Sequence, residues 1–522
     1  MKAIGGLRSR PGASALGTWA PGARGRSLIG VGIGIALLLT LNGVIHETNA
    51  ASVANQFVGP PALPIVQMAR ASAWRCPGPL PVGVGKKRSR VAIVNSTAET
   101  VGVTASVSRT DLPAGGVSGG SSVTQSHFRL DAHSQAVLTL SKTGPAGYAA
   151  VSVETDGGGV AVSESIRGLQ SAAGPALVSS PCTLGSAPLG YIPVGSTYGS
   201  SDVLVSLYDP DATPAVVNLS VSNGAGLTSP PAFQGIVVPA KGLAVLDLRR
   251  WAFQLSSLAI TASALSGDVV VGALESTKEL VSMATGSTGA HRVVRVHIIG
   301  NSLIVGSDQA VSQWVFTALQ SRVGVASTFS VYDPGSKPVL VSVAPPGRTG
   351  AVAALSEEIP AGGIVNFETP IEPGTRLGAS SVVVSAQSGR HIVVARLTTR
   401  RRTSTLEELN ATSGTAGPRK TWLLPGAVVT PAIADFVTLA NPGTKSASVT
   451  LTELPDLPAV AMRFKTITLL AGSQRDVDLG PLMKDVPEFA LEISATAPVL
   501  VEEQFRPRHG LTTALGAIPV LP

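Results

Sequence analysis

The sequence predicts an all-β fold, tandem β-sandwich repeats following an N-terminal transmembrane helix. Three observations predict it. A strand–Asx–strand pattern recurs four times, at Asn95, Asp209, Asp333 and Asn441. The flanking apolar stretches alternate with period two, as half-buried strands do. Charged residues make up only 14% of the chain and aromatics 4%, while apolar residues reach 44%, which suits short strands and small-residue turns and opposes disorder. At 522 residues, roughly three to four domains are expected.

The elements follow in order. Residues 1–26 form a basic tail with Lys2, Arg8, Arg10, Arg24 and Arg26 and no acid. Ser27–Ile45 then runs for 19 residues without a charge, close to the roughly 20 needed to cross a bilayer. The positive-inside rule puts the tail in the cytoplasm and the body outside the cell membrane. The small residues of "TNA" at Thr48–Ala50 offer the alternative of a cleaved signal peptide and a secreted body. Without the five tail cations the net charge of +7 falls to about +2, so no basic patch marks a nucleic-acid partner. The two cysteines, Cys76 and Cys182, stand 106 residues apart and, in an exported chain, are expected to form a disulfide.

A spacer over 46–73 precedes the first unit, and sandwich units are expected at 74–182, 183–280, 291–400 and 420–522, with a linker at 401–419. Further spacers are read at Gly168–Ala187, Ser276–Ala290 and Thr398–Lys420 from their Gly, Ser, Thr and Pro content. In unit 1, Val101, Val103, Ala105 and Val107 face one way and Gly102, Thr104, Ser106 and Ser108 the other. In unit 2, Val217, Leu219 and Val221 alternate with Asn218, Ser220 and Ser222. Each unit closes with an apolar strand pair around a small turn, such as "LAITASALSGDVVVGALES". Pro193 and Pro425 each stand 16 residues before their Asx, whereas unit 3 lacks that proline and carries extra sequence from Asn301. Helical evidence is confined to brief candidates such as "TSTLEELN" at Thr403.

The N-terminal anchor, "WRCPG" with the later "SSPC", and the repeated strand–Asx-Pro–strand pattern resemble an uncharacterised family of exported, membrane-anchored actinobacterial proteins. The resemblance implies immunoglobulin-like β-sandwich repeats. That family carries no assigned catalytic residues, so none is carried over.

Candidate chemistry is sparse, and the expectation is no catalytic, cofactor or metal site. "GVSGG" matches a nucleophile elbow around Ser118, but it lies in a glycine-rich loop without a following helix. "GPRKT" fails as a phosphate loop because Arg419 stands where glycine is needed. His127 and His133 lack metal-ligand spacing. Asp202, Asp209 and Asp211 offer oxygens to a calcium ion, yet the matching units place glycine and lysine there, so the motif reads as a turn. "KKRSR" at Lys86–Arg90 and Arg400–Arg402 read as solvated charge, with anionic lipid or wall polymer as the functional alternative. Trp74, Trp251 and Trp422 lie near strand ends, where packing is the default over sugar stacking. The expected function is a non-catalytic binding or scaffolding protein of the bacterial cell envelope. Its partners would be the membrane and an envelope protein or glycan; the alternative is an accessory subunit of a cell-wall enzyme.

Overall fold

Alternation of the kind counted above produces strands throughout. The computed structural model describes residues 66–521 apart from 69, 84–87, 112–121, 141–144, 172–173, 200, 225, 284–292, 318–324, 345–354, 369–380, 403–404, 416, 432, 456–462, 484–487 and 508–512. The basic tail, the expected transmembrane helix at 27–45 and the spacer up to residue 65 lie outside the described residues, as does Ser118. Among the described residues no helix is long and apolar enough to cross a membrane. The only helical turns there are the single 3-10 turns Pro231–Phe233 and Leu248–Arg250.

Each of the four repeats is a pair of mainly antiparallel sheets. In unit 1 one sheet runs Thr183–Leu184, Ala73–Val82, Gly147–Thr155, Val101–Asp111, Ser122–Leu130; the other runs Ser134–Thr139, Arg88–Asn95, Val160–Ser171, Gly174–Pro181. The predicted alternation is realised at Val101, Val103 and Ala105 in unit 1 and at Val217, Leu219 and Val221 in unit 2, but Val107 is only half-buried and Ser108 and Ser222, expected on the water-facing side, are buried. The strand that ends at the Asx position sits at the centre of the second sheet. It is Arg88–Asn95, Asp202–Asp209, Val325–Tyr332 and Ile433–Ala440 in turn. In unit 4 the two sheets share one strand, Glu488–Pro507, which runs through the expected Ala-Pro hairpin tip and passes from one sheet to the other.

Segments expected as spacers contain strands: Gly174–Pro181 pairs with Val160–Ser171 and Thr405–Ser413 with Val393–Arg402. Val293–Val305, expected in unit 3, instead pairs with Val270–Met283 of unit 2, and Thr513–Gly516 pairs with Glu488–Pro507 within unit 4. Within the linker expected at 401–419, Thr405–Ser413, which holds the described part of the helical candidate, is therefore the fourth strand of the second sheet of unit 3. The extra sequence from Asn301 divides between that strand of unit 2 and the first strand of unit 3, Gln313–Thr317. These four strands touch one another in succession, the last touching the first. Some of the side chains buried where these strands meet are small and polar. Ser180, Ser302, Asn410 and Thr412 are all buried, and Ser302 and Ser180 accept from the Ala411 and Val305 amides at 2.9 and 3.2 Å.

One head-to-tail contact joins neighbouring units and is used four times. The residue three before each Asx (Ala92, Ser206, Ser330, Thr438) pairs with Ser163, Gly272, Ala395 and Glu502. The Ser163 hydroxyl donates to the Pro425 carbonyl of unit 4 at 3.0 Å. Gly272 lies so close to Gly78 and Pro77 of unit 1 that a Cβ would overlap them. Ala395 joins the core of unit 2, and Glu502 accepts from Thr317 of unit 3 at 2.5 Å. Since unit 4 reaches back to unit 1, the heterologous contact closes into a ring. The strand Val66–Gln67, within the expected spacer, fastens the closure: it pairs in parallel with Ile518–Leu521, and Gln67 accepts from the Gly159 amide at 2.9 Å.

Candidate functional site

Two sets of buried polar groups stand out, one at each Asx position and one on the strand beside it. The first is a socket at the end of each sandwich. The Asn95 amide donates to the carbonyls of Glu99, Asp131 and Leu130 at 2.7, 2.9 and 3.4 Å, and its oxygen accepts from the Thr97 amide at 2.9 Å. Asn441 repeats this, donating to Lys445, Leu470 and Leu469 at 2.8, 3.2 and 3.3 Å and accepting from Gly443 at 3.0 Å. Asx thus pegs two turns together, which is why the motif recurs at a strand end. The facing turn places His133, Lys241, Gly362 and Gly472 at left-handed φ of 47, 50, 66 and 63°. In units 1, 2 and 4 that residue's amide bonds to the carbonyl two positions after the Asx, at Thr97, Asp211 and Gly443.

Units 2 and 3 carry aspartate in this socket. Asp209 and Asp333 are 0% and 2% exposed. One oxygen of each accepts the amide two residues on, from Asp211 at 2.8 Å and Gly335 at 2.7 Å. The other oxygen, Oδ2, has no hydrogen-bond partner among the described residues in either case. Burial pushes the Asp209 carboxyl up to about 6, against the pull of the Asp211 and Ala215 amides. Burial also raises Asp333.

The second set lies on the strand that pairs with the Asx strand. Four residues before each Asx, Val91, Val205, Phe329 and Val437 pair with Glu164, Ala273, Arg396 and Glu503. Three of these four inward positions hold an ionisable group in an apolar core. Glu164 accepts from the Gly78 amide at 3.1 Å and is pushed by burial to about 8. Arg396 donates to the Thr317 carbonyl at 3.2 Å, pairs with Glu502 and lies 5.8 Å over the Phe316 ring. Glu503 faces Asp435; burial raises both, Asp435 to about 8, and the neighbouring Asp435 charge raises Glu503 further. Asp435 accepts from the Val428 amide at 2.9 Å. In unit 2 the group is moved two residues along, to Glu275, which is pushed by burial to about 7 and accepts from the Thr277 hydroxyl at 3.2 Å. Each unit thus uses a buried ionisable side chain to hold the backbone of, or just beyond, its first strand. The sequence contained a signal for these groups: Glu164 falls in phase with Val160, Val162 and Ile166, on the apolar side of the alternation.

The residues singled out from sequence do not converge. Cys76 and Cys182 form the disulfide, with Cα atoms 4.7 Å apart. Glu164 lies within 4.8 Å of both sulfurs, but bonded sulfurs offer no thiolate to a metal. His127 is exposed and bonds Thr104 at 2.9 Å, while His133 occupies the socket turn. Asp202 pairs with Arg249 at 3.2 Å. Arg90 pairs with Glu488 of unit 4; Lys86 and Lys87 lie outside the described residues, as do the side chains of Arg400–Arg402. Trp74 and Trp422 are buried, and Trp251 packs edge-on against Phe233 with ring centroids 5.5 Å apart. Compared with known proteins, the chain matches no family model and no curated protein sequence.

Proposed function

We propose that this chain is a non-catalytic scaffolding or binding protein of the bacterial cell envelope, anchored by residues 27–45 with its body outside the cell membrane. The observation that carries the proposal is the closed head-to-tail ring, in which four units share one contact and expose four sets of outer turns and edge strands. Such a ring suits the display of several faces in fixed relation better than a single flexible module does. The Cys76–Cys182 disulfide supports an oxidising, extracytoplasmic setting. Each unit is read as immunoglobulin-like, with the fourth strand of its second sheet turned inward to the ring, in keeping with the actinobacterial family that the sequence resembles. Crosslinking in intact cells, with recovery through a C-terminal tag and mass spectrometry, tests the reading. A reproducible set of envelope proteins supports it, and recovery of none defeats it. An intact N-terminal peptide in the same sample supports the anchor.

A second reading, recognition of an envelope glycan, has one observation in its favour. Tyr198 and Phe253 are 61% and 57% exposed on two loops of unit 2. The loops are joined by the Thr197 amide donating to the Leu255 carbonyl at 2.9 Å and the Gly199 amide donating to Gln254 at 3.2 Å. Exposed rings on stitched loops suit stacking against sugar faces. Retention of the protein on purified cell-wall glycan, lost on replacing both rings by alanine, would favour this reading.

A further inference from the structure

We propose that Asp209 and Asp333 are proton-binding sites: each fills an asparagine socket as a neutral carboxylic acid, with the bound proton in the place of an asparagine N–H.

The four sockets provide their own control. In units 1 and 4 the socket presents three backbone carbonyls, and the asparagine amide meets all three as a donor. The same turns are built in unit 2, where the Lys241 amide donates to the Asp211 carbonyl at 2.9 Å as His133 does to Thr97 at 3.0 Å. Counting from these matched residues, the carbonyls of Thr213, Val238 and Pro239 stand where those of Glu99, Leu130 and Asp131 stand in unit 1. An ionised aspartate has only acceptors. Its second oxygen, which has no hydrogen-bond partner among the described residues in either aspartate, would stand in the place of a donor, and around Asp209 the Asp211 and Ala215 amides offset only part of the cost of burying the charge. A proton converts that oxygen into the donor the socket requires. A cation fits less well, because asparagine fills the equivalent socket at direct hydrogen-bond distances and leaves no ion-sized gap.

The surrounding charges do not remove the need for a proton. Around Asp209, Asp211 on its own turn and Asp268 on the neighbouring hairpin disfavour the charged form. The facing turn carries Lys241, whose backbone forms the turn contact. Near Asp333 the charge of Arg390 opposes the shift, and its guanidinium is engaged with the Lys337 and Pro338 carbonyls at 2.7 and 3.1 Å. The Tyr332 hydroxyl next to it is bonded to Thr261 at 2.8 Å. Burial raises both carboxyls, which agrees with the socket geometry.

The sign of the consequence is definite. A carboxyl raised in the folded state contributes stability that is complete below the unfolded value and is lost as pH rises through the folded value. For Asp209 that window runs from about 4 to about 6. The test uses the full-length chain in detergent, with urea unfolding of the wild type, D209N, D333N and the double variant from pH 4 to pH 8. The unfolding constant of the wild type should rise across this range by about a hundredfold more than that of D209N, as a shift of about two pKa units implies. The reverse variant N95D should acquire a new loss of stability at high pH, which keeps the test open if the double variant does not fold. Equal pH slopes in wild type, D209N and D333N would overturn the proposal. Calcium-dependent stabilisation at pH 8 that D209N abolishes would overturn it in favour of a bound cation.

Discussion

At the seam between units 3 and 4 the Arg396 and Glu502 side chains are only 1% and 8% exposed, whereas at the seam between units 4 and 1 Glu488 keeps 23% of its side chain exposed between Arg90 and Arg167. Both seams join the same faces of neighbouring units. In the first the charge sits at the shared contact position itself, on Glu502; in the second that position is Ser163, with the charges moved toward the rim. The difference separates two uses of an ion pair. A buried pair adds little net stability, because desolvation offsets attraction, but a mismatched neighbour would leave a charge stranded. A rim pair is screened and forgiving. The buried pair therefore specifies which units meet, and the rim pair adjusts how firmly they hold.

The largest expected effect comes from stranding the buried charge. Glu502→Ala should cost about 3–5 kcal/mol in urea unfolding, since Arg396 would remain in the seam without its partner. Replacing Arg396 and Glu502 together by Met and Leu should recover most of that loss. If the double variant is as unstable as the single one, packing rather than charge pairing governs this seam.

Next comes the contrast between the seams and the cores. Burial alone would raise the Glu488 carboxyl, but the hydrogen bond from Arg90 and the charges of Arg167 and Arg90 hold it below its usual value. Its contribution is therefore present above the ordinary carboxyl range and lost as pH falls through its lowered value. Glu164 behaves in the opposite sense. Raised by burial to about 8, it should cost the fold a few kcal/mol between pH 4.5 and pH 8, and Glu164→Gln should flatten that part of the profile. A Glu164→Gln profile parallel to the wild type would show that the core carboxyl is ionised and paired.

How far these features could be read from the chain depends on what each one rests on. The strands of Val101–Asp111 and Ala215–Ser222 were legible because burial on one face imposes a period of two. The Asx turn was legible too, since its bonds are partly local, to residues two and four positions on. Ring closure was not: Val66 pairs with Val520, and no local pattern records a partner so far away. Gly174–Pro181 and Thr405–Ser413 were taken for spacers because the stretches around them are rich in Gly, Ser, Thr and Pro, yet both pair as strands. Glu164 and Glu503 were missed because acids are usually read as solvent-facing. Their phase with valine neighbours carried the contrary signal.

The seam between units 1 and 2 refines the comparison without charge. There the shared contact position is Gly272, and a Cβ on it would overlap the Gly78 carbonyl and approach Pro77. Overpacking of this kind typically costs about 1–3 kcal/mol. Gly272→Ala should therefore destabilise the ring, while Ser163→Gly at the matching position should do so by less, because only one hydrogen bond is lost there. Urea unfolding of the two variants side by side checks the ranking. A silent Gly272→Ala would mean that units 1 and 2 can separate slightly without loss.

The smallest effect belongs to the rim. Glu488→Gln keeps the shape of the side chain and removes one charge between two arginines that are 15% and 21% exposed. Partial exposure limits the loss to about 1 kcal/mol, and added salt should shrink the gap between variant and wild type because these charges are open to screening. The Glu502→Ala deficit should be nearly insensitive to salt, since Arg396 is out of reach of counterions. Measuring both variants at low and high ionic strength thus separates the seams by mechanism as well as by size. Equal salt dependence would mean that water enters the seam between units 3 and 4, and that Arg396 is less isolated than its burial implies.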